Sequence, residues 1–285
     1  PTEGTYSVPY VANAAGILYN RDMFEEHGWT IPETWDELLA LCDEIEAEGI
    51  LPFYMGYKDT WTCLSPWNSA VASLTSSTVC KDVNKGETTF SDQYVQVAEE
   101  MKTLLQYGEA NPVAYSYNDG TNAFSKGDSA MLLTGNFAIP QIRSTNPDMN
   151  LGAFTLPVLN DASKTKLVSG IDVMFSVMKA DHKKECLKFI DFMLQDENVV
   201  TYMKQSSSVS CIKGKFPIPD DLKEMEKYFN NNRVVDFPDH HYPADLPAGD
   251  MIQGYLMNND MKTFLNKFDT EWKKSNRNLI RKLQK

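Results

Sequence analysis

The sequence has no unbroken apolar run of the about eighteen residues a membrane helix needs, and it does not open on the basic-then-apolar order of a secretion signal. Any export signal is expected to have been removed or to lie outside these 285 residues. Positive charge is in short supply: 27 Lys and Arg stand against 39 Asp and Glu, a formal charge of -12. Such a surface repels phosphate backbones and anionic lipid, so nucleic acid is not expected as a partner. Cysteine is sparse, at Cys42, Cys63, Cys80, Cys186 and Cys211. An odd number, widely spaced and without a CxxC pair, indicates neither a zinc site nor a disulfide framework. The spacing leaves open one bridge, between Cys63 and Cys80. A phosphate-binding glycine loop, a nucleophile elbow and a repeat of fixed period are all missing.

What is present is an ordinary apolar fraction, 42%, on a length that favours two domains. Helical and strand patterns alternate along it. The run Tyr6 to Tyr19 is small, β-branched and aromatic, the composition of a buried strand, with one amide, Asn13, in its middle. Asn20 or Asp22 can cap the short helix that Gly28 ends. In "TIPETWDELLALCDEIEAEGI", Thr34 and Glu37 make a capping box, and Trp35, Leu38, Leu39, Cys42 and Ile45 share a helix face. The turn "KGD" precedes a strand "AMLLTG", and "NLGAFTLPVL" and "KLVSGIDVMFSVM" read as further strands. "DHKKECLKFIDFMLQDENVVTYMKQ" reads as one long amphipathic helix, and the last forty residues or so carry Met251, Tyr255, Phe264, Phe268 and Trp272 at helical spacing. This succession predicts α/β layers rather than a bundle or a sandwich.

Ordered blocks along nearly the whole chain carry a resemblance: "YSVPYVANAAGILYNRDMFEEHG", "PETWDELLALCDEIEAEGILPF", "AFSKGDSAMLLTGNFA", "GAFTLPV", and "CLKFIDFMLQDENVVTYM" leading to "SSSVSCIKG". The sequence resembles the extracellular solute-binding proteins of ABC importers, in the carbohydrate-binding family that includes the maltodextrin-binding proteins. The resemblance implies a periplasmic-binding-protein-like fold of type II, with two α/β lobes, hinge crossings between them and the ligand in the cleft. It implies that the opening strand is the first crossing and that the N-terminal lobe is incomplete. On that reading residues 10–160 with 244–285 form the C-terminal lobe, and 1–9 with 161–243 are hinge and a remnant of the other. A lipid-anchored surface protein or a periplasmic one, working with membrane permease subunits, is the implied setting.

A sugar presents apolar C–H faces and a ring of hydroxyls, so its site needs aromatic platforms and directed hydrogen-bonding groups. In "YKDTWTCLSPW", Trp61 follows a polar run away from any apolar stripe, and the resemblance places Trp61 and Asp59 at the cleft. Phe137 in "TGNFAIPQI" takes the place where relatives carry an aromatic under the sugar, beside the amide of Asn136. Asn13 and Asp172, polar groups on crossing strands, face either ligand or the hinge itself, with Gly170 allowing close approach. Asp250 sits where it could cap the last helical region or reach ligand, with Tyr242 and Asp245 nearby. The neighbouring His240 and His241 point different ways with no third ligand spaced to join them, so neither a metal nor any cofactor is expected. A polyamine or other cation would also suit these carboxylates and aromatics, and a glycoside-active enzyme would need an acid and nucleophile pair that no spacing here supplies.

Overall fold

The computed structural model describes residues 6–178 and 181–283. Its strands are β1 Val8–Asn20, β2 Phe53–Tyr54, β3 Met131–Gly135, β4 Leu151–Phe154, β5 Leu167–Phe175, β6 Val209–Ser210 and β7 Val234–Val235. They form one open sheet in the order β2-β3-β1-β5-β7, with β4 and β6 also paired to β1. The first nine helices are α1 Arg21–His27, α2 Trp35–Ala47, α3 Leu64–Leu74, α4 Val79–Lys85, α5 Phe90–Gln93, α6 Val95–Leu104, α7 Tyr117–Ser125, α8 Ile139–Thr145 and α9 Lys183–Met193. Then come α10 Asp196–Ser206, α11 Glu226–Asn230, α12 Ala248–Asn258, α13 Met261–Ser275 and α14 Arg277–Leu283.

β1 is the axis of the sheet. Its first half pairs antiparallel with β5, from Val8 opposite Phe175 to Ala14 opposite Ser169, and with β6 at Val11 and Ala12. Its second half pairs with β3 and with β4, so that Ile17 lies opposite both Leu133 and Phe154. Successive side chains of a strand face opposite ways, and this alternation builds two cores. Ile17, Tyr19, Met131, Leu133 and Phe154 pack into the larger one with Leu38 and Ile45 of α2, Trp67 of α3, Val97 of α6, Ile252 of α12 and Phe268 of α13. Leu18, Leu132, Leu151 and Ala153 face the other way, onto Phe124 of α7 and Ile139 and Ile142 of α8.

Leu222, Met225 and Tyr228, in the stretch 220–230, join that second core. They are held there by ion pairs of Arg21 with Asp220 at 2.7 Å and with Glu224 at 3.1 Å. A separate small cluster gathers Tyr10 and Val11 with Val199 and Met203 of α10, and Val173 and Phe175 pack against it. Beyond it Met174, Leu187, Phe189 and Phe192 stand exposed.

Local signals account for the helix ends. Asn20 Oδ1 accepts from the backbone of Asp22 at 3.0 Å, and Gly28 closes α1 at φ 72°. Thr34 and Glu37 form the capping box of α2, whose buried face is Leu38, Leu41, Cys42 and Ile45, with Leu39 only half-buried. The stretch expected as one long helix is two, α9 and α10, broken at Leu194–Gln195, where the acidic Asp196 and Glu197 open a new first turn. Cys63 and Cys80, considered above as a bridge, are separate free thiols: Cys63 is sealed in the core before α3, and Cys80 is half-buried on α4.

Glu100 on α6 is a charge the core tolerates poorly. Its Oε1 accepts from Gln96 at 2.9 Å, while Oε2 is buried without a donor. Burial raises its pKa from 4.5 to about 7, against the Gln96 bond and with help from Glu99. The folded state therefore holds this proton more tightly than the unfolded chain, and stability falls as pH rises from 4.5 through about 7. Glu100→Gln should match the parent at pH 5 and exceed it by on the order of 1–2 kcal/mol at pH 8 in urea unfolding. Parallel stability curves for the two proteins would remove this assignment.

Candidate functional site

Beside β1, segments distant in sequence meet around a cleft of about 340 Å³. The turn Thr60–Cys63 and the start of α3 bring Trp61, Ser65 and Asn68, and the turn Asn136–Ala138 brings Phe137. The two long strands bring Asn13 and Ile171, and the connection after β7 brings Phe237, Asp239 and His240.

The aromatic groups are placed by close packing behind them. Trp61 is 45% exposed, and its ring neighbours Tyr117 and Phe137 are half-buried. Its ring lies 4.9 Å from Tyr117 and 6.2 Å from Phe137, both tilted by about 50°. A Cβ on Gly135 would come within 2.4 Å of Phe137 Cε1, so a residue without one is needed for the ring to lie back over the strand end. Gly170 has a similar part on β5: a Cβ there would lie 2.9 Å from both Asp236 Oδ1 and Phe237 Cδ2. The glycine lets the 236–240 segment lie directly on the crossing strand.

The polar groups divide into those already bonded and those left open. Asn68 Oδ1 accepts from the Asp239 backbone N–H at 3.0 Å, and Ser65 donates to the Thr134 carbonyl at 2.7 Å. His240 Nδ1 lies 2.9 Å from Asp236 Oδ1. Asn13 Nδ2 reaches Asp172 Oδ1 at a long 3.4 Å, and its own Oδ1 is buried without a donor. Asp239 Oδ1 is likewise buried and unpartnered. Burial holds the Asp239 carboxyl above the usual range, in spite of His240 and Asn68 and with Asp236 adding to the rise. Burial also raises Asp172, opposed by the Asn13 amide.

Of the residues singled out from sequence, Asn13, Trp61 and Phe137 line this cleft; Asp172 is not among its lining residues and meets it only through its contact with Asn13. Asn136 does not face it. Its amide is engaged on backbone at both ends, accepting from Ala14 N–H at 2.6 Å and donating to the Ser207 carbonyl at 2.7 Å, so a structural role stands where a ligand role was expected. Asp59 Oδ2 accepts from Tyr117 N–H at 2.8 Å and so ties the Trp61 turn to the start of α7. Asp250 is exposed in the first turn of α12, with Pro247 rather than Asp250 at the cap. Tyr242 is half-buried against the larger core, where its hydroxyl bonds Tyr94 at 2.9 Å and Trp67 Nε1 at 3.2 Å.

Sequence reasoning missed Asn68, Phe237, Asp239 and His240. For Asn68 a signal existed, since an amide inside the apolar run "PWNSAVASL" has to find a buried partner. For the other three it was Gly170, whose missing side chain implies a segment lying against it.

Residues 1–200 match the family of bacterial extracellular solute-binding proteins. The chain is 29% identical to the multiple sugar-binding protein of Streptococcus mutans over 220 residues, which are 73% of this chain and 52% of that protein. It is 26% identical to a putative binding protein of Brucella abortus over 277 residues, 92% of this chain and 64% of the relative. The chain thus spans about half to two thirds of the length of these curated relatives. A solved complex of the solute-binding protein RafE with raffinose superposes with a TM-score of 0.82 at 24% identity, covering 99% of this chain and 74% of that one. A chitin oligosaccharide binding protein gives 0.79 at 21% identity, with 97% and 73% covered. Those likenesses give the fold as that of the type II periplasmic solute-binding proteins. With a family match over most of its length and that fold beneath it, the chain belongs to the bacterial extracellular solute-binding proteins.

Proposed function

We propose that this chain is the larger part of a sugar-capturing subunit of an ABC importer, working outside the cytoplasmic membrane, either in a periplasm or as a surface lipoprotein. The observation that carries the reading is the exposed Trp61 indole set 6.2 Å from Phe137, with amide and carboxylate groups in the same cleft. Aromatic faces receive the C–H side of a pyranose, and directed oxygens receive its hydroxyls. The names of its relatives support the same ligand class: one is a multiple sugar-binding protein, and RafE is solved with raffinose. No chemistry is assigned to the cleft; the ligand is captured and handed to permease partners.

We assign the lobes by packing. Residues 10–160 and 244–285, apart from Tyr10 and Val11 at the start, form one lobe, to which the stretch 220–230 adds its core residues, while the cluster of Tyr10 and Val11 with α9 and α10 belongs to the second. Further chain of that second lobe would cover the exposed Met174, Phe189 and Phe192. Bending at β1 and β5 would then close the cleft on the sugar. A cationic ligand is the second reading, favoured by Asp239 in the cleft, by Asp172 bonded to the cleft residue Asn13, and by the charge of -12.

Calorimetric titration of the full-length protein with raffinose, stachyose, galactose, chitin oligosaccharides and spermidine separates the two. Saturable binding of a sugar is expected, weakened about 10-fold or more by Trp61→Ala as the stacking face is lost. Spermidine binding that falls with added salt, without any sugar binding, would replace the carbohydrate reading with the cationic one. Gly170→Val should push the 236–240 segment off β5 and lower sugar affinity while the far-UV circular dichroism spectrum stays as it was. Unchanged affinity would mean that this close approach does not shape the cleft.

A further inference from the structure

Two acceptors in the cleft wall have no donor. Asn13 Oδ1 and Asp239 Oδ1 belong to residues that line the same cavity, and both are sealed from solvent without a hydrogen-bond partner. A buried acceptor left open is costly, and native structures seldom keep one without a reason. Neither side chain is idle otherwise. Asn13 reaches Asp172 with its amide nitrogen, and the Asp239 backbone is clamped by Asn68 Oδ1 at 3.0 Å. The clamp fixes the position of Asp239 while leaving one carboxyl oxygen unspent. Trp61 and Phe137 line the same cavity as these two residues, and their faces suit a ring with C–H groups on one side and O–H groups at its rim.

We propose that Asp239 is the specificity-determining residue of this cleft, and that Asp239 and Asn13 together select a sugar presenting one hydroxyl donor to each of their open oxygens. The inference rests on the carbohydrate reading above. A rotation of each side chain on binding turns its oxygen toward the ring that displaces water from the aromatic faces. The selected ligand is a donor at two positions. A sugar methylated or deoxygenated at either one leaves an acceptor buried and unmet, and the site rejects it. A ligand recognised only through its own acceptors gains nothing from this pair.

The test is a thermodynamic cycle on the full-length protein. The tightest-binding sugar of the panel and its monodeoxy analogues are titrated calorimetrically into the parent, Asp239→Ala, and Asp239→Asn, which keeps the shape of the side chain and guards against misfolding. One deoxy position should cost the parent about 10- to 100-fold in affinity, and the same position should cost the Asp239→Ala protein less than about threefold. A second position should couple in the same way to Asn13→Ala. If the parent binds sugar and the Asp239 variants bind it equally well, or lose affinity evenly for every analogue, the inference falls and the carbohydrate reading stands. If the parent binds no sugar at all, both fall.

Discussion

Because β1 is hydrogen-bonded along both edges, first to β5 and β6 and then to β3 and β4, every other part of this structure is positioned from it. A strand in that situation has to find a partner for each backbone group, including those where one set of neighbours gives way to the next. The changeover falls at Ala14 and Ala15, where the pairing with Ser169 of β5 ends and the pairing with Gly135 of β3 begins. The N–H of Ala14 is met there by Asn136 Oδ1 at 2.6 Å. The side chain that completes the ladder is adjacent to Phe137 in sequence, so the aromatic platform is held by the same turn that seals the strand. The cleft opens at this junction because it is the place where the regular ladder is interrupted.

Burial separates the aromatic residues into a packed cluster and one exposed ring. Trp67, Phe90, Tyr94, Phe268 and Trp272 are fully buried and touch one another at edge-to-face or stacked distances, Phe90 and Trp272 at 4.7 Å and Trp67 and Tyr94 at 5.3 Å. That cluster holds α3, α5, α6 and α13 together, and Asp269 fixes α5 to α13 by accepting from the Phe90 and Ser91 backbone at 2.8 and 3.1 Å. Trp61 sits a few residues before this cluster yet leaves it, supported from beneath by Tyr117. Its indole therefore lines the cleft instead of joining the core.

Much of the architecture was legible because its signals are local. The Thr34 and Glu37 box, the Asn20 cap, Gly28 and the "KGD" turn each act within four residues, so spacing alone reveals them. The split of the long helix at Leu194 was not legible, since the amphipathic period runs on across the break and only the packing of α10 on Tyr10 and Val11 requires a change of direction. The stretch 220–230 shows the same limit: its apolar residues can be read from sequence, but its choice of core is decided by Arg21, about two hundred residues earlier in the chain.

The candidate site was legible in its aromatics and half-legible in its polar groups, for a reason that concerns partners rather than residue types. Asn13 and Asn136 are the same side chain, half-buried in the first case and fully buried in the second, and an amide out of water must be bonded. Asn136 meets that demand internally, at both ends, through backbone groups of Ala14 and Ser207. Asn13 meets only half of it, since its nitrogen reaches Asp172 and its oxygen reaches nothing. Asp59 and Asp239 divide in the same way: the first spends an oxygen on the Tyr117 backbone, while the second keeps one open. Each of these partners is fixed by the folded backbone, far off in sequence, so no spacing rule can assign it. Once the backbone is known, the hydrogen-bonding capacity left open in the cleft can be located group by group, and it lies on Asn13 and Asp239.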